Sequence, residues 1–459
     1  MKILRAYENK ISPDILIILT VSSIVLLWNL GTGSLCSWDE GLYGGVTREI
    51  IHTGNWIDLR WAGQPWSDKP PLYMWVTALF SRVLGLNELS VRLFSALAGV
   101  GTVLLTYLTA LKLYSRKEAF SSALVLLSTW AFLWSSKMGM LDIPMTFFIA
   151  LAICLFEYGK DNRLCLFLSP LAFTGAFLTK GMGAMLIPLI LGLYILISGR
   201  IKILKDPALI CGTITALALS AIWPLAAAGA YGKEFIDDYF LKHLVTRTTK
   251  AVEGHTGGLF TYFGVLPNKG RPWAGIGLAL SPLLIWRTIR FREKEHLLPL
   301  VWTFTVLLLF SAVRTKLHWY VMPVYPALAI ITGWGAAKLL KSRVFIMMPL
   351  LCALSLFYLA TEKNIFDLDY SPETKMFAES ALNLGECGKP LYAYKVSDPG
   401  LQFYLTGKTL RVYDTEKIKL TMRSGKNYVV TNRRELKHLK GEPYSIVLEE
   451  DNFVLIRSE

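Results

Sequence analysis

The stretch Asp68-Lys69-Pro70-Pro71-Leu72-Tyr73-Met74-Trp75-Val76-Thr77-Ala78-Leu79-Phe80-Ser81-Arg82-Val83-Leu84 decides how the rest of the chain is threaded. It is apolar after its two prolines, yet it covers only about three-quarters of the ~20 residues that a helix needs to cross a bilayer. Outward from it, apolar stretches near spanning length occur at about 14–31, 89–111, 118–136, 142–158, 164–179, 182–198, 207–228, 272–287, 297–313, 318–337 and 343–360. If Pro70–Leu84 does not cross, five basic loops share the side of the N-terminus with Lys2, Arg5 and Lys10. These loops hold Lys112/Arg116/Lys117, Lys160/Arg163, Arg200/Lys202/Lys205, Arg287/Arg290/Arg292/Lys294 and Lys338/Lys341/Arg343. If it does cross, all of them move to the other side. The positive-inside pattern therefore makes Pro70–Leu84 a re-entrant or interfacial helix. About eleven transmembrane helices follow, with the N-terminus cytoplasmic and the C-terminus outside.

Composition agrees with a polytopic α-helical membrane protein. The 459 residues are 53% hydrophobic and only 18% charged, with a mean hydropathy of +0.42, too apolar for a soluble chain of this length. The net charge of +14 has a source in loops facing anionic lipid, so nucleic acid is not expected as a partner. The basic start before Ile15–Leu30 resembles a signal peptide, but no small-x-small cleavage site follows. Leu35-Cys36 also lacks the small residue that a lipoprotein signal carries before its cysteine, so a retained anchor is expected. Of the six cysteines, Cys154, Cys165, Cys211 and Cys352 lie in apolar runs. Cys36 and Cys387 fall in polar segments, where either free thiols or a disulfide would fit. From about Thr361 onward charge rises and short alternating runs appear at Leu391–Val396, Asn427–Thr431 and Phe453–Ile456. These predict a small external α/β domain over 361–459, after a membrane domain over 1–360 with external loops at about 32–88 and 229–271.

This threading brings Asp39, Glu40, Asp68, Lys69, Lys137, Asp142, Lys180, His243, Arg247, Arg314, Lys316 and His318 to the external face. Ionisable groups at membrane depth are costly, so their gathering on one side points to a site; solvated loop ends are the plainer alternative. Ser37-Trp38-Asp39-Glu40 fits a capping box, with Ser37 capping a helix and Glu40 reaching back to the backbone N–H of the cap. Asp39 then lies in the first turn, with Tyr43 one turn on, and Thr53-Gly54-Asn55 ends the helix. In Asp68-Lys69-Pro70-Pro71 the prolines fix an extended entry and hold Lys69 beside the headgroup layer. That suits a lipid phosphate, or a lysine that merely snorkels. A transporter would also gather charge, but on broken helices near the midplane and in pseudo-symmetric halves, and the sequence displays neither. A receptor or scaffold for the C-terminal domain leaves the distant acidic and basic cluster without a role.

The blocks D-E-G-L-Y at 39–43, G-N-W at 54–56, D-K-P-P-L-Y-M-W at 68–75, the helix from Asn87 with Arg92, M-L-D-I-P-M at 140–145, F-L-T-K-G at 177–181 and H-W-Y-V-M-P-V-Y-P at 318–326 carry a resemblance. Together they resemble a bacterial GT-C glycosyltransferase of the lipid A aminoarabinose transferase and protein O-mannosyltransferase superfamily, over roughly the first three-quarters of the chain. The resemblance implies transfer of a sugar, with inversion, from a polyprenyl (undecaprenyl) phosphate carrier to a lipid A-type or other cell-envelope acceptor outside the inner membrane. A protein acceptor is the alternative, and a transporter the more distant one. It implies Asp39 as the essential carboxylate, Asp142 as a second acidic group facing it, and Lys69 on the carrier phosphate. Tyr320 aligns with a phosphate-touching tyrosine. Asp68 and His243 align with a pair able to hold zinc, the one cofactor the resemblance suggests, although two ligands are few for a metal.

The chemistry agrees with this assignment. A phosphate leaving group already ionised at neutral pH needs cations more than a general acid, so Arg314, Lys316 or Lys180 would assist Lys69. Asp39 would be general base toward a hydroxyl acceptor, and Glu40, Tyr43 and Arg247 would support it. Membrane lipids, the lipid-linked donor and the acceptor are the expected partners of a monomer. One departure concerns the sugar: the aminoarabinose branch commonly has Arg-Tyr where this chain has Leu42-Tyr43.

Overall fold

The computed structural model describes residues 13–232, 235, 239, 257–383, 391–396, 398–405, 410–450 and 452–459. The chain forms two compact units, one of Met1–Leu30, Ser67–Tyr73 and Leu93–Phe366, the other of Gly31–Trp66, Met74–Arg92 and Asp367–Glu459. This partition differs from a division near residue 360. Residues of the first polar loop belong with the C-terminal domain, for the reasons given below.

Every one of the eleven apolar stretches carries a helix, and nearly all of them lie in the first unit. Among the described residues five helical runs are long and apolar enough to cross a membrane: Glu88–Leu113, Arg163–Ser198, Pro207–Tyr231, Lys294–Ala312 and His318–Glu362. Two of these runs, of 36 and 45 residues, each contain two of the expected stretches joined through a short 3-10 segment. The helix Leu72–Leu84 has 13 residues, too few to span.

The stretch 118–136, expected as one helix, is two: Arg116–Leu127 and Trp130–Lys137 meet at 61°. The cause is non-local, because the Trp130 N–H donates to the Arg271 carbonyl at 3.0 Å instead of continuing the helical ladder. The Ser128 and Thr129 hydroxyls bond back to the Leu124 and Val125 carbonyls, each at 2.7 Å, an interaction that favours bending. A broken helix, which the sequence did not display, is thus present. Lys137 at its end is fully buried; its ammonium meets the Trp28 carbonyl and lies 5.2 Å from the Phe366 ring centroid. At two other helix ends buried or half-buried carboxylates are paired. Asp14 receives Arg116 at 2.6 and 2.7 Å, and Glu293 receives both Arg287 and His296.

The second unit contains a short antiparallel pair, β1 (Arg60–Trp61) with β2 (Gln64–Pro65), and a five-stranded mixed sheet of β3 (Leu391–Tyr394), β4 (Leu410–Val412), β5 (Tyr428–Asn432), β6 (Tyr444–Glu450) and β7 (Phe453–Ser458), in the order β4-β3-β5-β7-β6. The β4-β3-β5 pairs are parallel and the β5-β7-β6 pairs antiparallel. Strand alternation sends Val430, Ala393 and Leu455 to a core with Phe377 and Leu401. Val429, Tyr394, Val454 and Ile456 go to the opposite core with Ile418 and Met422. The expected runs at Leu391, Asn427 and Phe453 are strands, whereas β4 and β6 lie outside those runs.

The helix Asp39–Thr53 packs in this same unit because its glycines permit a close approach. A Cβ on Gly41 would lie 2.6 Å from the Gly400 nitrogen, and one on Gly44 2.6 Å from the Phe403 ring. Arg48 donates to the carbonyls of Gln402, Phe403 and Leu405 at the end of the helix Pro399–Tyr404, where the helix dipole favours a cation. Burial draws the Arg48 guanidinium down to about 10. Gly54 ends the helix in the left-handed region, at φ 70°. Cys36 is a free thiol, held above its ordinary range chiefly by burial, and Cys387 lies outside the described residues.

Candidate active site

A cavity of about 340 Å³ opens in the first unit, and one end of it is cationic. Lys69 reaches it from the Pro-Pro entry, Lys180 from the last turn of the helix Arg163–Lys180, and Tyr320 from the 3-10 helix His318–Val324. The Lys180 ammonium donates to Asp142 Oδ1 at 2.6 Å and lies 5.8 Å from the Tyr320 ring centroid. Asp142 begins the helix Asp142–Tyr158 and is 2% exposed. The ion pair with Asp142 fixes where Lys180 points. Lys69 is half-buried and donates to the Asp68 carbonyl at 3.1 Å. Apart from Asp68 at the edge, the rest of the wall is largely hydrocarbon, including Phe177, Leu186, Leu189, Leu309 and Phe310. Tyr239 completes it, its hydroxyl pushed well above the ordinary range by burial. Two cations at the head of an apolar groove can hold an anion that carries a hydrocarbon tail.

The second unit holds the acidic residue of the first polar loop. Asp39 is half-buried and accepts from the Tyr43 hydroxyl at 3.3 Å, one helical turn on. The capping box is corrected by the structure: Trp38 is the N-cap and no side chain caps the helix. Glu40 instead forms an ion pair with Arg92 at 2.9 Å in which both side chains are fully buried. Its other oxygen accepts from the Cys36 N–H at 2.7 Å. Arg92 also donates to the carbonyls of Thr32, Ser34 and Leu368 at 2.8, 2.7 and 3.1 Å. One guanidinium therefore gathers the loop that delivers Asp39 and the start of the C-terminal segment. The sequence offered Arg92 only as part of a motif; its partner lies too far away in the chain to be read locally.

Other expected residues are placed differently. The Lys316 ammonium curls back onto the Phe310 and Ser311 carbonyls at 2.8 and 2.6 Å and onto the Val313 carbonyl, and does not line the cavity. It satisfies the open end of the helix Leu297–Ala312, as lysines near helix C-termini do. Arg314 is exposed and is likewise absent from the cavity wall. His243 and Arg247 lie outside the described residues. Asp68 is exposed at the cavity edge. Among the described residues the one group of three metal-ligand side chains is Glu293, Glu295 and His296, where Arg287 already holds Glu293 and the Tyr114 hydroxyl meets His296.

Residues 68–224 match the family described as dolichyl-phosphate-mannose-protein mannosyltransferase. An uncharacterised protein of Aquifex aeolicus (strain VF5) is 30% identical over 322 residues, 69% of this chain and 63% of its own length. The undecaprenyl phosphate-alpha-4-amino-4-deoxy-L-arabinose arabinosyl transferase of Shewanella sediminis (strain HAW-EB3) is 27% identical over 346 residues, 73% of this chain and 62% of its own. The chain thus spans under two thirds of the length of either relative. The crystal structure of ArnT from Cupriavidus metallidurans bound to undecaprenyl phosphate has the same fold, with a TM-score of 0.80 over 97% of this chain and 98% of that one at 20% identity.

Proposed function

We propose that this chain is a GT-C glycosyltransferase of the superfamily that holds the aminoarabinose transferases and the protein O-mannosyltransferases, and that it transfers a sugar from a polyprenyl phosphate carrier to a cell-envelope acceptor, a reading supported by the family match, the related sequences and the shared fold. The observation that carries this reading is the cavity with Lys69, Lys180 and Tyr320 at its polar end, Asp68 exposed at its edge, and a largely hydrocarbon wall beyond. A polyprenyl phosphate has that polarity. Its phosphate is ionised before reaction and gains charge as the sugar departs, so two preorganised cations in a poorly hydrated cleft stabilise the transition state more than the ground state. Asp142 acts through Lys180, holding the ammonium in place at 2.6 Å.

Asp39 is the proposed base. Toward a hydroxyl acceptor it removes the proton as the oxygen attacks the anomeric carbon, and direct displacement inverts that centre. The Tyr43 hydroxyl orients the carboxylate. An acceptor of the lipid A type is the first reading and a protein hydroxyl the second, the latter suggested by the mannosyltransferase match over residues 68–224. The enzyme sits in the inner membrane as a monomer of about eleven spans, with the N-terminus cytoplasmic and both polar segments, 32–88 and 361–459, outside. Asp68 is the one described member of the Asp68/His243 pair, and no step here passes through a metal.

The test is reconstituted transfer from a polyprenyl phosphate sugar by Asp39→Asn. The amide keeps the shape and an acceptor for Tyr43 but is no base, so a loss on the order of a hundredfold or more is expected. Turnover within a few-fold of wild type overturns the assignment.

A further inference from the structure

A second cavity, of about 380 Å³, lies between the helices Arg163–Lys180, Leu186–Ser198 and Pro207–Tyr231. Its wall is hydrocarbon, including Phe156, Phe173, Ile195, Leu204 and Leu217. The two hydroxyls that reach it are committed to backbone carbonyls, Ser169 to Ala152 and Thr213 to Leu209, each at 2.8 Å. Water entering would find few partners, so the natural occupant is a hydrocarbon chain. Gly192 creates much of the space: a Cβ built there meets nothing within 4 Å.

The end of the cavity indicates what the chain is attached to. Leu204 belongs to the 3-10 helix Ile201–Lys205, on which Lys202 and Lys205 are exposed. Residues i and i+3 eclipse in a 3-10 helix, so both ammonium groups stand on one edge. The neighbouring cations are engaged, Arg200 with Glu157 at 3.2 Å and Arg163 with Asp206 at 4.0 Å. Among the described residues no carboxylate lies within ion-pair distance of Lys202 or Lys205. Basic groups beside a hydrocarbon slot between membrane helices select an anionic lipid headgroup.

We propose that this cavity holds one acyl chain of an anionic phospholipid whose headgroup is bound by Lys202 and Lys205. The rival occupant is the tail of a polyprenyl phosphate, since Met185 lines both cavities. Such a tail, however, brings no anion to the two lysines.

Native mass spectrometry of the full-length protein, released from nanodiscs containing equal phosphatidylglycerol and phosphatidylcholine with matched acyl chains, tests this. One retained phosphatidylglycerol is expected, preferred by roughly thirtyfold, the worth of two surface lysines against one anionic headgroup. The double variant Lys202→Ala/Lys205→Ala should bring the preference near unity. Gly192→Leu should abolish retention by filling the slot, and it improves helix propensity, so folding is not at stake. A wild-type preference under about threefold, unchanged retention in Gly192→Leu, or displacement of phosphatidylglycerol by added undecaprenyl phosphate would each overturn the proposal.

Discussion

Replacing Glu40 by glutamine should loosen the segment that carries Asp39, although the side chain keeps its shape. The Glu40–Arg92 pair has no exposure on either side, and removing one member of a buried pair costs about 3–5 kcal/mol. Arg92 retains the carbonyls of Thr32, Ser34 and Leu368, and the amide oxygen of the introduced glutamine can still accept one bond. The lower end, about 3 kcal/mol, is therefore expected. That energy belongs to local opening of residues 31–41, and at about 1.4 kcal/mol per tenfold it equals a loss of roughly a hundredfold in amide protection. Hydrogen exchange read by mass spectrometry on the protein in nanodiscs reports it directly. The Cys36 amide, which donates to Glu40, should be among the most affected, while peptides from the helix Asp142–Tyr158 stay protected. A change below threefold in the 31–41 peptides would refute the role given to the pair.

Two further outcomes are expected. Gly41→Ala places a methyl group 2.6 Å from the Gly400 backbone nitrogen and should cost about 1–3 kcal/mol by overpacking, seen as a lower unfolding temperature; Gly229→Ala, whose Cβ meets nothing within 4 Å, should be near neutral. Cysteines at Lys205 and Asn268, both exposed, should react with an impermeant maleimide from opposite sides of sealed vesicles, and same-side labelling would overturn the span count.

The helices were legible because hydropathy alone specifies a segment that must satisfy its backbone in lipid, and each of the eleven stretches carries one. Where the structure departs, a non-local bond decides. The break before Trp130 depends on the Arg271 carbonyl, and the fate of Glu40 depends on Arg92. A four-residue capping pattern could not weigh a guanidinium supplied by another helix. The C-terminal strands β3, β5 and β7 showed in their alternation. The assignment of residues 31–66 to the same unit rests on glycine contacts and on Arg48, which no local pattern displays. In the cavity, Lys69 and Lys180 are legible from the side of the membrane on which their segments end, whereas their sharing of one wall is not. Lys316 carries a local signal of its own, since it lies just beyond the last carbonyls of a helix.

The central claim is that Lys69 stabilises the departing phosphate. Single-turnover transfer by purified Lys69→Ala and Lys69→Arg, with a short-chain polyprenyl phosphate sugar and folding verified by hydrogen exchange, tests it most directly. A preorganised charge of this kind contributes on the order of a hundredfold or more to the rate. Lys69→Ala should lose that much, and Lys69→Arg should lose less because it keeps the cation with a different fork. Near-normal turnover by folded Lys69→Ala would contradict the account and turn attention to Lys180, the other described cation of the cavity.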